Sequence, residues 1–164
     1  MMNKSNTPAN SSFIIHHSSF LKFWLPPLLL MAAIFFFSTD NFSGQNTGSV
    51  LFRIFHALLP GLTEAQFHPW HLLIRKAGHF TEYGLLALLL FRAFRRGVPE
   101  TWRPRWALAS FAIVVVYALL DEYHQSFTAT RGASIYDSML DAAGGATALL
   151  ALRFVRMRQK RKPE

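Results

Sequence analysis

The chain contains no cysteine, and charged residues make up only 16% of its 164 residues. The absence of cysteine excludes disulfide bonds, thiol catalysis and thiolate metal ligands, and it leaves the redox compartment open. A soluble domain usually carries about 25% charged residues. Hydrophobic residues make up 51% of the chain and aromatic residues 15%. The composition therefore favours a membrane protein, with a length that fits one domain.

Acidic residues are scarce as well, because nine Asp and Glu stand against 17 Lys and Arg, for a net charge of +8. A nucleic-acid-binding protein would carry its basic residues on one face of a folded domain. Here they cluster at the ends of apolar runs, which is typical of cytoplasmic segments beside membrane helices. We therefore expect membrane lipid as a partner and no nucleic acid.

Four apolar segments approach the roughly 20 residues that a helix needs to cross a membrane. They are residues 20–38, 77–94, 106–120 and 133–155. The first segment could also be a signal peptide, but no small-residue cleavage site follows it. A retained membrane helix is the favoured interpretation. The sequence therefore predicts an all-α polytopic membrane protein with four transmembrane helices.

The segment between the first two spans contains apolar residues at helical spacing, followed by Pro60-Gly61. This spacing predicts a short amphipathic helix at the membrane interface, or else a helix packed on the end of the bundle. The apolar residues are Val50, Leu51, Ile54, Phe55, Leu58 and Leu59. Three regions follow from the composition: a disordered lead over residues 1–19, a membrane domain over 20–155 and a basic cytoplasmic tail over 156–164.

Positive charges near the span ends predict the topology. The connection between the second and third spans is rich in arginine, and so is the C-terminal tail, whereas the other connections carry few positive charges. The arginines of that connection are Arg92, Arg95, Arg96, Arg103 and Arg105. The positive-inside rule then places this connection and both termini in the cytoplasm, which four spans satisfy.

This topology brings the polar residues of three spans to the same outer depth. Charged side chains inside a membrane cost roughly 2.5–3.5 kcal/mol each on insertion scales, so we expect them to have partners and a purpose. The residues are Lys76, His79, Glu82 and Tyr83 at the start of the second span, Asp121, Glu122, His124 and Gln125 at the end of the third, and Asp137 and Asp141 at the start of the fourth.

The residue types suggest a polar pocket with distinct roles. Asp121 or Glu122 is the candidate general base, and His79 or His124 the candidate for proton exchange near neutral pH. Arg131 is a candidate for holding a carboxylate or phosphate. We assign the remaining residues to binding: Lys76, Glu82, Tyr83, Gln125, Asp137 and Asp141. The alternative is an ion-pair network that only fixes helix packing.

Other kinds of chemistry find less support in the sequence. The His, Asp and Glu residues include enough donors for a divalent ion, but their scattered spacing matches no recognised metal motif. We therefore expect no metal and no other cofactor. No serine or threonine stands out as a nucleophile, and the inner halves of the spans lack the acidic series that ion passage would need.

Two segments resemble a known family of small bacterial membrane proteins, the VanZ-like family. Residues 76–86, Lys-Ala-Gly-His-Phe-Thr-Glu-Tyr-Gly-Leu-Leu, resemble its K-x-x-H-F-x-x-Y-x-x-L segment. Residues 121–127, Asp-Glu-Tyr-His-Gln-Ser-Phe, followed by Arg131, Asp137 and Gly144, resemble its D-E-x-x-Q-x-F…R…D…G segment. Asp141 stands where Asn is expected, which adds a negative charge to the site.

The resemblance implies a membrane-embedded helical domain in the bacterial inner membrane. The family is named for a protein associated with low-level teicoplanin resistance. It therefore also implies a role at the cell envelope, with an anionic envelope component or a lipid-linked precursor as partner. Whether the site is catalytic stays open at this point.

Overall fold

The computed structural model describes residues 10–39, 44–96, 102–127 and 134–159. All regular secondary structure within these ranges is helical, which confirms the predicted all-α class. The five helices are α1 (Asn10–Phe37), α2 (Gly44–Leu58), α3 (Glu64–Arg95), α4 (Pro104–Gln125) and α5 (Ile135–Gln159).

Three of these helices are long and apolar enough to cross a membrane: α1 over Phe20–Phe37, α4 and α5. The helix α3 contains the predicted second span but does not reach the same hydropathy. Its apolar half carries His79, Glu82 and Arg92, and a more polar half precedes it.

Helix α3 begins well before the predicted span, at Glu64. The signal for this start is a capping box, because the Thr63 hydroxyl accepts a hydrogen bond from the Gln66 backbone N–H, and the Gln66 side chain accepts one from the Thr63 backbone. Such a reciprocal pair satisfies two amide groups that a helix start would otherwise leave free. The region up to residue 75 is thus more helical than the sequence analysis predicted.

Helix α1 also begins earlier than expected, at Asn10, inside the lead that was predicted to be disordered. No glycine or proline interrupts residues 10–25, so nothing in this stretch stops a helix. Pro26 and Pro27 consequently lie inside the helix rather than in its first two turns. There each proline removes a backbone hydrogen bond, which favours a bend.

The central element of the bundle is α3, which contacts all four other helices. Helices α1 and α4 run antiparallel to it: Trp24 in the middle of α1 packs on Phe94 near the end of α3, and Trp102 packs on Phe91 just before α4. Helix α5 runs in the same direction as α3, because Lys76 contacts Asp137 and, further along both helices, Arg156 lies over Phe91.

Glycine permits the closest approach between α3 and α5. A Cβ atom at Gly144 would collide with the backbone carbonyl oxygen of Phe80, and one at Gly84 would lie 3.3 Å from the Gly144 carbonyl oxygen. Small residues at helix crossings are typical of membrane bundles, in which packing rather than the hydrophobic effect drives association.

The bundle exposes large apolar side chains and buries polar ones. Leu28, Val116 and Leu150 are at least half exposed, whereas Asp121 and Asp141 are each only 3% exposed. This arrangement is typical of a helical membrane protein, in which apolar residues face lipid and ionisable residues face the bundle interior.

Candidate functional site

The polar residues of four helices meet at one end of the bundle, which we call the polar end. Helices α1 and α4 finish here, α5 begins here, and the apolar half of α3 starts here. The residues that define it are Ser38, His79, Asp121 and Asp141. The structure therefore places side chains from distant parts of the sequence at one level, as the topology argument predicted.

Asp121 lies at the centre of the polar end. Its Oδ2 atom accepts a hydrogen bond from the Tyr83 hydroxyl at 3.1 Å and a second one from Gln125 Nε2 at 3.0 Å. Gln125 Nε2 also lies 3.4 Å from Ser38 Oγ, so the network joins α1, α3 and α4. The other carboxylate oxygen, Oδ1, is buried and has no hydrogen-bond partner.

Asp141 and His79 form a second, partly buried group in the site. The Nδ1 atom of His79 lies 3.7 Å from Asp141 Oδ1, which is too long for a hydrogen bond, although an attraction between opposite charges would act at this distance. The Asp141 side chain is 4% exposed and that of His79 24%. Two carboxylates, Asp121 and Asp141, are therefore buried around one imidazole.

Glu122 connects α4 to the start of α5. Its carboxylate accepts a hydrogen bond from the backbone N–H of Ser134, and the residue is 8% exposed. The helix geometry turns Glu122 away from Asp121, as expected for neighbouring residues of a helix. Glu122 nevertheless reaches the same cavity as His79 and Asp141.

That cavity has a volume of about 90 Å³ and combines charged and apolar walls. Lys76 Nζ donates a hydrogen bond to Asp137 Oδ1 at 2.8 Å, and both side chains are about half exposed. The lining residues are Leu72, Arg75, Lys76, His79, Glu122, Gln125, Asp137, Leu140 and Asp141. The cavity therefore combines buried acids with two positively charged side chains.

Some of the predicted residues do not line this cavity. Glu82 lines a neighbouring cavity of about 320 Å³, which also contacts Ser38 and His79. The His124 ring packs against Phe35, with ring centroids 4.3 Å apart. Arg131 lies outside the described residues, so its predicted contact with an anion stays a prediction.

The structure adds residues that the sequence analysis missed. Ser38 comes from the first span, for which only hydropathy was considered, and Arg75 precedes the segment that was analysed for motifs. The one available signal was position: Arg75 lies four residues before His79 and hence on the same helix face. No sequence pattern identified Ser38.

The charges of the bundle are separated along its length. The acidic residues of α3, α4 and α5 lie on the side of the polar end, and the opposite end carries arginines, so we call it the basic end. It is defined by Arg92, Arg95, Arg96, Arg103, Arg105, Arg153, Arg156 and Arg158, and it contains no acidic residue within the described ranges.

The profile of the VanZ/LLP1 family matches residues 23–156 of the sequence. The chain belongs to the VanZ/LLP1 family. The match begins in the apolar part of α1 and ends near the end of α5, so it includes every residue of the polar end described above. The resemblance to VanZ-like proteins that the two sequence segments indicated is thereby confirmed.

No curated protein and no solved structure matches this VanZ/LLP1 chain. Family membership together with three apolar helices makes it a membrane protein. The chemistry of its polar end has to be argued from the geometry.

Proposed function

We propose that this VanZ/LLP1 protein crosses the bacterial inner membrane four times, with both termini in the cytoplasm and the polar end at the outer leaflet. Residues 77–94 of α3 pack between α1, α4 and α5, each of which is long enough to span the bilayer. A helix enclosed by three spanning helices crosses with them. The arginines of the basic end support the cytoplasmic assignment of that end. In this arrangement α2, which contacts α3, lies at the outer interface.

We further propose that the polar end binds or acts on an anionic component of the cell envelope, such as a lipid-linked precursor. The observation that carries this proposal is the cavity beside the two buried acids, with Lys76 and Arg75 in its wall. The two cations attract a phosphate or carboxylate, and the apolar walls formed by Leu72 and Leu140 suit the lipid part of such a molecule.

In the enzymatic version of this proposal, Asp121 or Glu122 is the general base. Both are buried carboxylates at the polar end, and carboxylates serve as general bases in many enzymes. His79 on α3 faces Asp141 of α5 in the cavity wall and assists proton transfer. Lys76, Arg75 and Arg131 hold the anionic group.

The test is a set of single alanine substitutions at His79, Asp121 and Glu122, with Glu64→Ala as the control for loss of an exposed acid. We expect all variants to reach the membrane, and the three site variants to lose function. The readouts are protein level in the membrane fraction and growth under teicoplanin or envelope stress, in cells that depend on the protein. If all three site variants are abundant and fully active, the proposed site is wrong.

A non-catalytic scaffold is the second candidate function, and the Lys76–Asp137 ion pair favours it, because this pair joins α3 to α5 without entering the buried network. A scaffold predicts that the double exchange Lys76→Asp with Asp137→Lys restores function lost in each single variant. A ligand site predicts no recovery, since the exchange moves the cation away from the position that contacts the ligand.

A further inference from the structure

We propose that His79, Asp121 and Asp141 bind a divalent transition-metal cation, Zn²⁺ or Mn²⁺, inside the polar end. One ligand atom from each of the three side chains lies within 4.8 Å of the others. The sequence pattern hid this group because the three residues come from three different helices. The inference concerns the same polar end as the proposed envelope ligand, but it is tested separately because the cation can be measured alone.

The donor set fits such a cation. Imidazole nitrogen and carboxylate oxygen are ligands that Zn²⁺ accepts at about 2.0–2.2 Å. Two ligand atoms on a tetrahedral cation with these bonds are about 3.4 Å apart. The three ligand atoms, which lie within 4.8 Å of one another, therefore have to move closer by about 1 Å, which side-chain rotations can supply.

A second observation, independent of the distances between the ligand atoms, also points to a cation: each aspartate has a buried oxygen without a hydrogen-bond partner. Asp121 Oδ1 and Asp141 Oδ1 are both buried without a hydrogen-bond partner, and each residue is 3% exposed. A buried polar atom without a partner is costly, and two neighbouring buried carboxylates also repel each other. A cation between them removes both penalties. Lys76 does not fill this role, because its ammonium group is paired with Asp137.

Hydrogen bonds from neighbouring residues hold the proposed ligands in place, as they do around metal sites in general. Tyr83 and Gln125 both donate to Asp121 Oδ2, which fixes the carboxylate and leaves Oδ1 available. Such hydrogen bonds orient metal ligands and contribute about 10–100-fold to affinity. His79 and Asp141 also line the 90 Å³ cavity, which provides an entry path and space for an open coordination position.

The experiment is a titration of the full-length protein in detergent, first stripped of metal with a chelator and then titrated with Zn²⁺ or Mn²⁺ in a calorimeter at pH 7.5. We expect one saturable site per chain for at least one of the two cations. Asp121→Asn and Asp141→Asn keep the side-chain size and should weaken binding at least about 100-fold, whereas Tyr83→Phe should weaken it about 10–100-fold. The control, Glu64→Gln, removes an exposed carboxylate at the start of α3, far from the three ligands, and should bind as the wild type does.

Thermal unfolding of the same samples separates metal binding from folding. In the absence of metal, Asp141→Asn should unfold at the wild-type temperature or above it, because it removes a buried charge. Added metal should raise the unfolding temperature of the wild type and of Glu64→Gln, and should leave those of Asp121→Asn and Asp141→Asn unchanged. The inference is wrong if neither cation binds, or if Asp121→Asn and Asp141→Asn bind as tightly as the wild type. It is also wrong if Asp141→Asn is destabilised without metal, since the aspartate then serves as a partner of His79.

His79, whose side chain is partly exposed, provides a second ligand variant. His79→Gln should lose metal binding in the same way as the two aspartate variants.

Discussion

The two ends of the bundle differ in how deeply their charged side chains are buried. At the polar end, Asp121 and Asp141 are almost fully buried between helices. At the basic end, arginines lie over aromatic rings: Arg103 is 5.2 Å from the ring centroid of Trp106, and Arg158 is 4.3 Å from that of Phe154. The basic end thus resembles an interface that meets lipid head groups, whereas the polar end is an internal site.

This difference decides what each end can do. An arginine beside an aromatic ring at the membrane boundary keeps access to water and phosphate, so its charge costs little. A carboxylate that is 3% exposed has lost its water and depends on partners within the protein. The buried charges are therefore retained at a stability cost, which is the reason to seek a function at the polar end.

The largest expected effect comes from Gly144, which holds α5 against α3 next to the polar end. Gly144→Ala should destabilise the protein by about 3 kcal/mol or more, because the new Cβ collides with backbone that cannot move alone. Gly145→Ala should cost less, since its Cβ would meet the Val114 side chain at 2.9 Å. Thermal unfolding in detergent measures both.

The control for this pair is Gly78→Ala, because nothing lies within 4 Å of a Cβ at that position. It should be neutral or stabilising by up to about 1 kcal/mol, since alanine is the better helix former. Equal unfolding temperatures for Gly144→Ala and Gly78→Ala would contradict the close packing of α3 and α5.

An intermediate effect is expected for the hydroxyl of Tyr83. Tyr83→Phe removes a donor from the buried Asp121 carboxylate and should cost about 1.5–3 kcal/mol. Tyr117→Phe is the matched variant, because the Tyr117 hydroxyl donates to the uncharged carbonyl oxygen of Met31, and it should cost about 1 kcal/mol. The order of the two unfolding temperatures is the check. A smaller loss for Tyr83→Phe would mean that Asp121 does not depend on this bond.

The smallest effects should come from exposed charges at either end. Lys76→Met removes an ion pair whose side chains are 55% and 45% exposed, and such pairs contribute about 0–1 kcal/mol. Arg103→Met removes a contact with Trp106 that is worth about 0.5–1 kcal/mol. Both variants should unfold close to the wild-type temperature. A loss above about 2 kcal/mol for either would show that its charge is not solvated as described.

Much of the fold was accessible from the sequence, because long apolar runs bounded by arginines predict membrane helices through elementary energetics. The ends of α4 and α5 follow from the same argument to within a few residues. The start of α3 at Glu64 was missed although Thr63 and Gln66 form a recognisable capping box. The early start of α1 was missed because the serine- and asparagine-rich composition of residues 1–19 was given more weight than the lack of helix-breaking residues.

The candidate site was accessible in part. The common depth of His79, Asp121 and Asp141 in the bundle could be predicted by counting charges, because antiparallel spans bring their ends together. The contacts between individual atoms could not be predicted, because the rotation of each helix about its own axis depends on packing that sequence periodicity does not specify. Ser38 and Arg75 therefore belong to the polar end although no sequence pattern predicted them, whereas the His124 ring packs on Phe35 of α1.

The central claim is that the polar end faces outward and the basic end inward, and cysteine labelling tests it directly because the native chain has no cysteine. Phe127, which is 71% exposed, follows α4 at the polar end, and Arg103 precedes α4 at the basic end. In intact spheroplasts, a membrane-impermeant maleimide should label Phe127→Cys and should label Arg103→Cys only after lysis. Labelling of Arg103→Cys from outside, with Phe127→Cys protected until lysis, would contradict the account.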